Sequence, residues 1–447
     1  MIQYHQGKEL SSNNLMEKIV SFCKKRGFVF PSSEIYGGFS SSYDFGPLGI
    51  ELKNNIKKYW QDSMKQEDNI VGLDSAILMN PMVWQASGHL TAGFADELVE
   101  CKKCHHRFRK DFAKKNCPDC QGGLTVPRKF NLMMRTFVGP VEEKASEAYL
   151  RAETCQGIYL NFQNILQTMR MKIPFGVAQI GKSFRNEINP KDFLFRTREF
   201  EQMEMQWFCH PKQASGFFDS WLKKRLKWYA QIGLKVRTTE VLKKDRSHYA
   251  KKQIDIEAQF PFGWKEIEGI HNRGDWDLSN HSKHSKQDLR YYDEITKQKY
   301  FPYVIETSVG VERLFFALLC SSYEEIKGGR SEKSIKEAET VLKLDKKLIP
   351  FKAAIFPLVR NKPEIVKKAK DVFNLLKPFS IYYDETGSIG KRYRRADEIG
   401  VFWAITIDFD TLQDNAVTIR NRDTMEQKRI KIKDLIECFK KQFFPMD

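Results

Sequence analysis

The chain has 447 residues, with 74 Lys+Arg against 57 Asp+Glu, a net charge of +17 and a pI near 9.3. A hydrophobic content of 41% with 33 Phe excludes a disordered polyelectrolyte, and no apolar run approaches the roughly 18 residues of a membrane span. The length is enough for two or three domains. The positive balance suits a polyanion such as RNA, although a generally basic proteome or a membrane surface would favour the same balance.

Met1 to Val20 lacks the apolar core, basic flank and cleavage site of a secretory leader, so a soluble, cytoplasmic protein with no membrane partner is expected. Leu15 to Lys25 has helical periodicity and ends at Gly27. A short strand, Phe28-Val29-Phe30, follows. The Gly- and Ser-rich stretch Gly37 to Ser42 leads to Gly46-Pro47-Leu48-Gly49, after which Ile50 to Met64 reads as an amphipathic helix.

Nine cysteines include two CxxC pairs, which fits a reducing compartment with a metal site better than a disulfide framework. Cys101, Cys104, Cys117 and Cys120 have the spacing to close a tetrahedral Zn²⁺ shell, a structural site with no open position; a redox pair would share that spacing. Lys102, Lys103, His105, His106, Arg107, Arg109 and Lys110 surround them and suit RNA phosphate or a solvated face. Lys129 to Met133 and Tyr149 to Thr154 read as strand edges opening a site. Glu153 there suits an ammonium, or else caps a helix from Gln156 to Met169.

Phe175 to Phe208 reads as two antiparallel strands joined by a charged loop with turn residues at Asn189-Pro190-Lys191-Asp192. By strand parity Arg185 and Glu187 share a face, as do Arg196, Arg198 and Glu204, with Glu199 and Glu201 opposite. Guanidinium forks on a rigid sheet suit nucleotide phosphate, although a charged hairpin alone also reads as a solvated face with cross-strand ion pairs.

His210 to Phe262 carries a Lys-rich helix (Phe217 to Gln231), short strands and a basic loop, and reads as an insertion between motifs. Gly263 to Ile270 is a strand on which Glu266 and Glu268 share a face, suited to Mg²⁺ beside a nucleotide, or simply solvated. Glu306-Thr307-Ser308-Val309-Gly310-Val311-Glu312-Arg313 runs from a strand into the apolar helix Leu314 to Cys320, with Arg313 on its first turn. Ser331 to Lys347 reads as a linker. After Pro350 strands and helices alternate, Ala353 to Phe443, as a separate α/β domain whose Lys391 to Arg395 cluster with Tyr393 suits RNA.

Several of these words together resemble a known family. Phe184-Arg185-Asn186-Glu187 with Phe195-Arg196-Thr197-Arg198-Glu199-Phe200 resembles the second signature motif of class II aminoacyl-tRNA synthetases. Gly310 to Leu314 resembles the third and Tyr43 to Gly49 the first. Trp84-Gln85-Ala86-Ser87-Gly88-His89, Arg151-Ala152-Glu153-Thr154, Phe200-Glu201-Gln202-Met203-Glu204 and Glu306-Thr307-Ser308 are similar to the homodimeric glycyl type, and the likeness runs from about Phe28 to the C-terminus.

The resemblance implies an α+β fold: a class II catalytic domain built on an antiparallel sheet over 1–345, with a zinc-type insertion at 95–128 and the insertion at 210–262, then an α/β anticodon-binding domain over 350–447. It implies a homodimer with Pro47 in the interface, and as substrates glycine, ATP with Mg²⁺, and tRNA(Gly). Arg185 is then assigned to the α-phosphate, Glu187 to the adenine edge, Phe200 to stacking beneath adenine, and Arg313 to its other face and the γ-phosphate, with Arg185, Glu187 and Arg313 the catalytic set. Asn186, Phe195, Arg196, Thr197, Arg198, Glu199, Glu266, Ile267, Gly310, Val311 and Glu312 complete the ATP site. Arg109, Glu153, Phe200, Glu201, Gln202, Met203, Glu204, Glu306, Thr307, Ser308, Val309 and Gly310 are assigned to glycine. The family commonly has Thr-Pro after the glycine at Gly400, where this chain has Val401-Phe402. A non-catalytic synthetase-like nucleic-acid-binding protein is the alternative, and the retained Arg185, Glu187, Glu306 and Arg313 oppose it.

Overall fold

The computed structural model describes residues 12–444 except 91–93, 114, 144–145, 189–191, 248, 329 and 331–337. The turn residues Asn189, Pro190 and Lys191, the first part of the expected linker and the first eleven residues of the stretch read for a leader therefore lie outside the described residues.

A seven-stranded sheet carries the larger part of the chain. Its strands are β1 (Ile70–Gly72), β2 (Phe175–Phe184), β3 (Glu199–Cys209), β4 (Val236–Glu240), β5 (Lys252–Phe260), β6 (Gly263–Gly274) and β7 (Tyr303–Gly310). Their order is β4-β5-β6-β7-β3-β2-β1, antiparallel throughout except for the β2/β1 pair. Strand β3 has the alternation expected of a two-sided strand: Met203, Met205 and Trp207 point to one side, Gln202, Glu204 and Gln206 to the other. The apolar side packs against the helices α1 (Ser12–Arg26), α2 (Pro47–Lys65), α3 (Ala214–Gln231) and α4 (Val311–Ser322), through Cys23, Leu52, Trp60, Trp221 and Phe315 among others.

Helix α2 starts at Pro47, whose missing N–H costs nothing at the first helical position. It can approach strand Val29–Pro31 because residue 49 is glycine: a Cβ there would sit 1.9 Å from the Phe28 carbonyl oxygen. The 210–262 stretch, expected as an insertion, is integral to the sheet. It supplies β4, β5 and the helix α3 on the sheet's back.

Two local expectations change. Arg185, Glu187, Arg196 and Arg198 are not on strands: the ladder closes at Phe184↔Glu199, and the Arg185 N–H bonds Arg198 O at 2.9 Å as the chain leaves the sheet. The helix expected from Gln156 to Met169 is two, Cys155–Leu160 and Phe162–Met169, because the Asn161 side chain caps Gly157 O at 2.8 Å and breaks the run.

Glu266 and Glu268 also part company. Glu257 pairs with Glu266 but Ile256 with Glu268, so a bulge at Ile267 resets the alternation. Glu266 opens to the sheet's polar side, whereas Glu268 is fully buried beneath α3, where Arg225 Nε reaches its carboxylate at 2.7 Å and the Tyr229 hydroxyl at 2.5 Å.

Residues beyond Pro350 form β8 (Ala353–Pro357), β9 (Ile381–Tyr383), β10 (Trp403–Ile407), β11 (Ala416–Asn421) and β12 (Gln427–Lys431), ordered β9-β8-β10-β11-β12, with α5 (Pro363–Leu376), α6 (Ile389–Glu398) and α7 (Leu435–Phe443). The basic cluster on α6 is largely used internally. Arg392 is buried and bonds Gly387 O at 2.8 Å, Arg394 pairs with Glu339 at 3.2 Å, Arg395 with Asp384, and the Tyr393 hydroxyl with Thr406. Of that run Lys391 stays exposed and Tyr393, Arg394 and Arg395 are half-buried. Val401 is buried, and Phe402 lies under Arg422, which donates to Leu342 O, Leu344 O and Gly400 O.

The Arg225–Glu268 pair is almost wholly shielded from water, so removing one charge strands the other. Arg225→Met is expected to lower the unfolding free energy in urea by about 3–5 kcal/mol, and Arg225→Met/Glu268→Met to recover most of that loss.

Candidate active site

Three adjacent strands place the polar side chains. In β3 and β7 Glu204 faces Ser308 and Gln206 faces Glu306, and in β6 and β7 Gly269 faces Ser308 and His271 faces Glu306. All of these but Gln206, with the loop after β2 and the first turn of α4, line one cleft of about 260 Å³.

One end of the cleft is cationic and aromatic. The Arg185 guanidinium lies 5.4 Å from the ring centres of both Phe94 and Phe200, aimed by a bond from Nε to Ala152 O at 3.2 Å. Its terminal nitrogens have no hydrogen-bond partner among the described residues. Glu187 pairs with Arg196 at 3.1 Å. Arg313 lies 4.7 Å from the Phe195 ring centre, donates to Phe195 O at 3.1 Å and reaches the Glu266 carboxylate at 3.0 Å. Thr197, Ile267, Gly310 and Gln202 complete this lining.

The other end holds three buried carboxylates. Glu153 accepts from Gln156 Nε2 at 2.8 Å and the Cys155 thiol at 3.0 Å, so it caps no helix, and His89 Nε2 stands 3.5 Å away. Glu306 accepts from Arg273 Nη1 at 3.0 Å and Gln206 at 2.7 Å, with His271 Nδ1 2.8 Å from its other oxygen. Glu204 accepts from the hydroxyls of Ser308 (2.6 Å) and Thr154 and from the Gln202 amide (3.1 Å). Burial raises all three carboxyls. In Glu153 the charges of His89 and Arg273 outweigh it and in Glu306 those of Arg273 and His271 do, so both fall below the usual range.

Not every residue singled out from sequence comes here. Glu201 lies on the opposite face, bound by Lys53 at 2.6 Å and Lys57 at 3.1 Å, and Lys53 also holds Glu312 at 2.7 Å. Glu312 still borders the cleft, while its carboxylate accepts the Glu201 N–H. Met203, Val309 and Val311 are in the apolar core, and Thr307 is buried on that same side of β7. Glu199 pairs with Lys182 at the surface, Arg198 donates to Ser40 O at 2.7 Å, and the Asn186 N–H bonds Leu132 O. Arg109 sits in the three-stranded sheet Arg107–Arg109, Ala95–Glu100, Arg128–Asn131, paired with Asp111 at 3.0 Å and Asp96 at 3.4 Å.

Sequence reasoning missed the groups behind the carboxylates. Arg273 is fully buried between Glu306 and Asp277 (2.9 Å), with Tyr249 covering its guanidinium at 3.6 Å. Arg151 bonds Lys182 O at 2.6 Å and Ser75 O at 2.8 Å, and it occupies the space a Cβ on Gly181 would take, 2.2 Å from that position. The available signal was period two: Gly269, His271 and Arg273 continue one face of β6.

The four cysteines of the two CxxC pairs do converge. Cys101 Sγ is 3.5 Å from Cys120 Sγ, Cys104 Sγ is 3.6 Å from Cys117 Sγ, and all four lie within 4.8 Å of one another. Backbone N–H groups of Cys104 and Lys103 point at Cys101 Sγ and draw that thiol down.

Comparison with known proteins gives the family and the fold. A model of the class II tRNA synthetase core domain (G, H, P, S and T) matches residues 137–323, and one of an anticodon binding domain matches 352–442. The chain is 52% identical to a glycine–tRNA ligase of Borreliella afzelii, over 95% of this chain and 97% of that one. Identity to glycine–tRNA ligases is 50% in Treponema denticola, covering 95% and 96%, and 48% in Thermobifida fusca, covering 96% and 98%. Among solved structures, Giardia lamblia prolyl-tRNA synthetase in complex with prolyl-adenylate superposes with a TM-score of 0.69 at 15% identity, over 95% of this chain and 75% of that one, which shows the shared fold.

Arg273 decides the charge state behind the cleft. With depressed pKa values, Glu153 and Glu306 contribute stability that is present above the ordinary Glu pKa near 4.3 and lost as pH falls through their folded values. In Arg273→Met this contribution goes: the unfolding free energy is expected to fall by about 3–5 kcal/mol at pH 7 and by less at pH 4, measured by urea titration at both.

Proposed function

Because this chain belongs to the glycine–tRNA ligases of the class II synthetases, we propose that its cleft joins glycine to ATP and then to the 3′ end of tRNA(Gly), the acidic end taking the amino acid and the arginine-lined end the nucleotide. The observation that carries this reading is the segregation of charge within one cleft: Glu153, Glu204 and Glu306 at one end, Arg185 and Arg313 at the other. A zwitterionic amino acid and a polyphosphate meet where those ends join.

Activation needs no protein nucleophile. A glycine carboxylate oxygen attacks the α-phosphorus, the bond to the bridging oxygen breaks and pyrophosphate leaves. The terminal ribose hydroxyl of tRNA then attacks the glycyl carbonyl and AMP leaves. Catalysis is positioning and charge neutralisation by groups already in place. Arg185 is assigned to the α-phosphate, and its unpartnered terminal nitrogens support this. Phe200 stacks beneath adenine, Glu187 takes its edge, and Arg313 covers its other face and reaches the γ-phosphate. Glu266, the one carboxylate of the β6 pair that faces the cleft, would hold Mg²⁺ together with substrate phosphates, and that ion would supply neutralisation of charge on the pyrophosphate. Ser308, Glu204 and Glu306 take the glycine ammonium, and the polar groups that line this end among the described residues leave alanine's methyl group against polar atoms.

Membership of the family supports a homodimer formed along α2, a cytoplasmic location and contacts of the C-terminal part with the anticodon, and the net charge of +17 favours the RNA partner. Among the described residues no helix is long and apolar enough to cross a membrane. The Cys101, Cys104, Cys117, Cys120 cluster fits a structural Zn²⁺, since sulfurs held at about 2.3 Å around a tetrahedral centre stand roughly 3.7 Å apart, near the separations found here.

Purified protein is expected to exchange pyrophosphate into ATP with glycine alone among the twenty amino acids, and Arg185→Ala to lower that exchange by roughly 10²-fold or more. A folded protein with no exchange for any amino acid overturns the enzymatic reading. Metal analysis is expected to find one zinc per chain, lost with a fall in melting temperature in Cys101→Ser/Cys117→Ser; an intact protein free of zinc whose cysteines cycle between thiol and disulfide would establish a redox role instead.

A further inference from the structure

The three buried carboxylates differ in what faces them. Glu153 and Glu306 share a buried arginine, Arg273, at 3.8 Å and 3.0 Å, with the His89 imidazole beside the first and that of His271 beside the second. Glu204 has neither. Its partners on β7, β3 and the 151–155 segment are the Ser308 hydroxyl, the Gln202 amide and the Thr154 hydroxyl. Arg151, whose guanidinium acts on Glu204 through space, spends its hydrogen bonds on Lys182 O and Ser75 O. On β2 the residue opposite is Gln179, and the β6 groups Arg273 and His271 are committed to Glu306.

Like charge crowds Glu204 instead. One oxygen of Glu204, one of Glu306 and the Cys155 sulfur lie within 4.8 Å of one another, and Glu204 is 2% exposed. Two carboxylates that close in a dry site do not both stay ionised without a cation between them. The partners of Glu204 also tolerate either state: a hydroxyl donates to a carboxylate and, by rotating, accepts from a carboxylic acid.

Resting on the reading of the acidic end as the glycine site, we propose that the cleft binds glycine by releasing a proton: on the acid side of neutrality Glu204 is a neutral acid until the substrate ammonium arrives, and ionises as that cation settles against Glu204 and Glu306. The balance is Glu204–COOH plus ⁺H₃N–CH₂–COO⁻ giving Glu204–COO⁻ paired with ⁺H₃N–CH₂–COO⁻, and one H⁺ passed to water. Glu204 thus acts as a positioning and specificity group. A ligand without a cationic amine leaves it protonated.

Burial, and then repulsion from Glu306 and Glu153, push the Glu204 carboxyl up to about 7 against the hydrogen bonds of Ser308 and Thr154. The sign follows. Below about pH 7 the proton must be displaced, so the apparent affinity for glycine falls about tenfold per pH unit on the acid side and levels off above it.

The test uses the full-length chain and a tight-binding mimic of glycyl-adenylate, 5′-O-(N-glycylsulfamoyl)adenosine, titrated calorimetrically in buffers of different ionisation enthalpy. The expected release is about half a proton at pH 7 and close to one at pH 6, and none with the N-acetylsulfamoyl analogue, which lacks the amine. Glu204→Gln, with ATP binding retained as the check on folding, is expected to bind the glycyl mimic more weakly and without that release. Tight binding of the mimic with no proton release at pH 6 overturns the proposal and leaves the glycine site standing, as does a release that persists in Glu204→Gln. Failure to bind either glycine or the mimic while ATP still binds overturns the glycine reading, and this proposal with it.

Discussion

The register between β3 and β7 holds the site together. With Glu204 opposite Ser308 and Gln206 opposite Glu306, every polar side chain of the site on both strands falls on one face and Met203, Met205 and Val309 on the other. A slip of one residue would exchange the faces, burying carboxylates against Leu314 and Phe315 and turning methionines into the cleft. The apolar packing of α2, α3 and α4 under the sheet therefore sets the chemistry above it. Lys53 ties the two levels together, since it reaches from α2 to Glu201 on β3 and Glu312 on α4.

Three carboxylates in one buried pocket are costly unless each is answered. The chain answers them unequally. Arg273, fixed by Asp277 and covered by Tyr249, serves Glu306 and stands 3.8 Å from Glu153, while Glu204 has neutral donors only. A pocket neutralised completely by its own arginines would have no attraction left for an ammonium. A pocket with no internal cation would not stay folded around its charge. The arrangement lies between those limits, which is what a site for a small zwitterion requires.

Basic residues are spent in two different ways along the chain. On α6 the arginines are tied to Asp384, Glu339 and backbone carbonyls, and Arg422 reaches into the segment Leu342 to Leu344, so positive charge there holds the C-terminal part against the rest. In the cleft Arg185 keeps its terminal nitrogens available. Sequence composition treats these arginines alike, and only their surroundings separate a structural cation from one that can meet a phosphate.

Signals carried by adjacent residues were enough for the elements and the family. Alternation in Phe200 to Phe208 marks a two-sided strand, the periodicity of Ile50 to Met64 marks the body of α2 though not its start at Pro47, the CxxC spacing marks a four-sulfur cluster, and the motif words run through nearly the whole chain. Adjacency does not encode the rest, which came from packing. A bulge at Ile267 sent Glu268 under Arg225 and left Glu266 in the cleft. The end of the ladder at Phe184 put Arg185 on a loop. Arg273, 33 residues before Glu306, became its partner only through the pairing of β6 with β7. Charge compensation in a buried site depends on which strands lie side by side, and that is fixed by packing over the whole sheet.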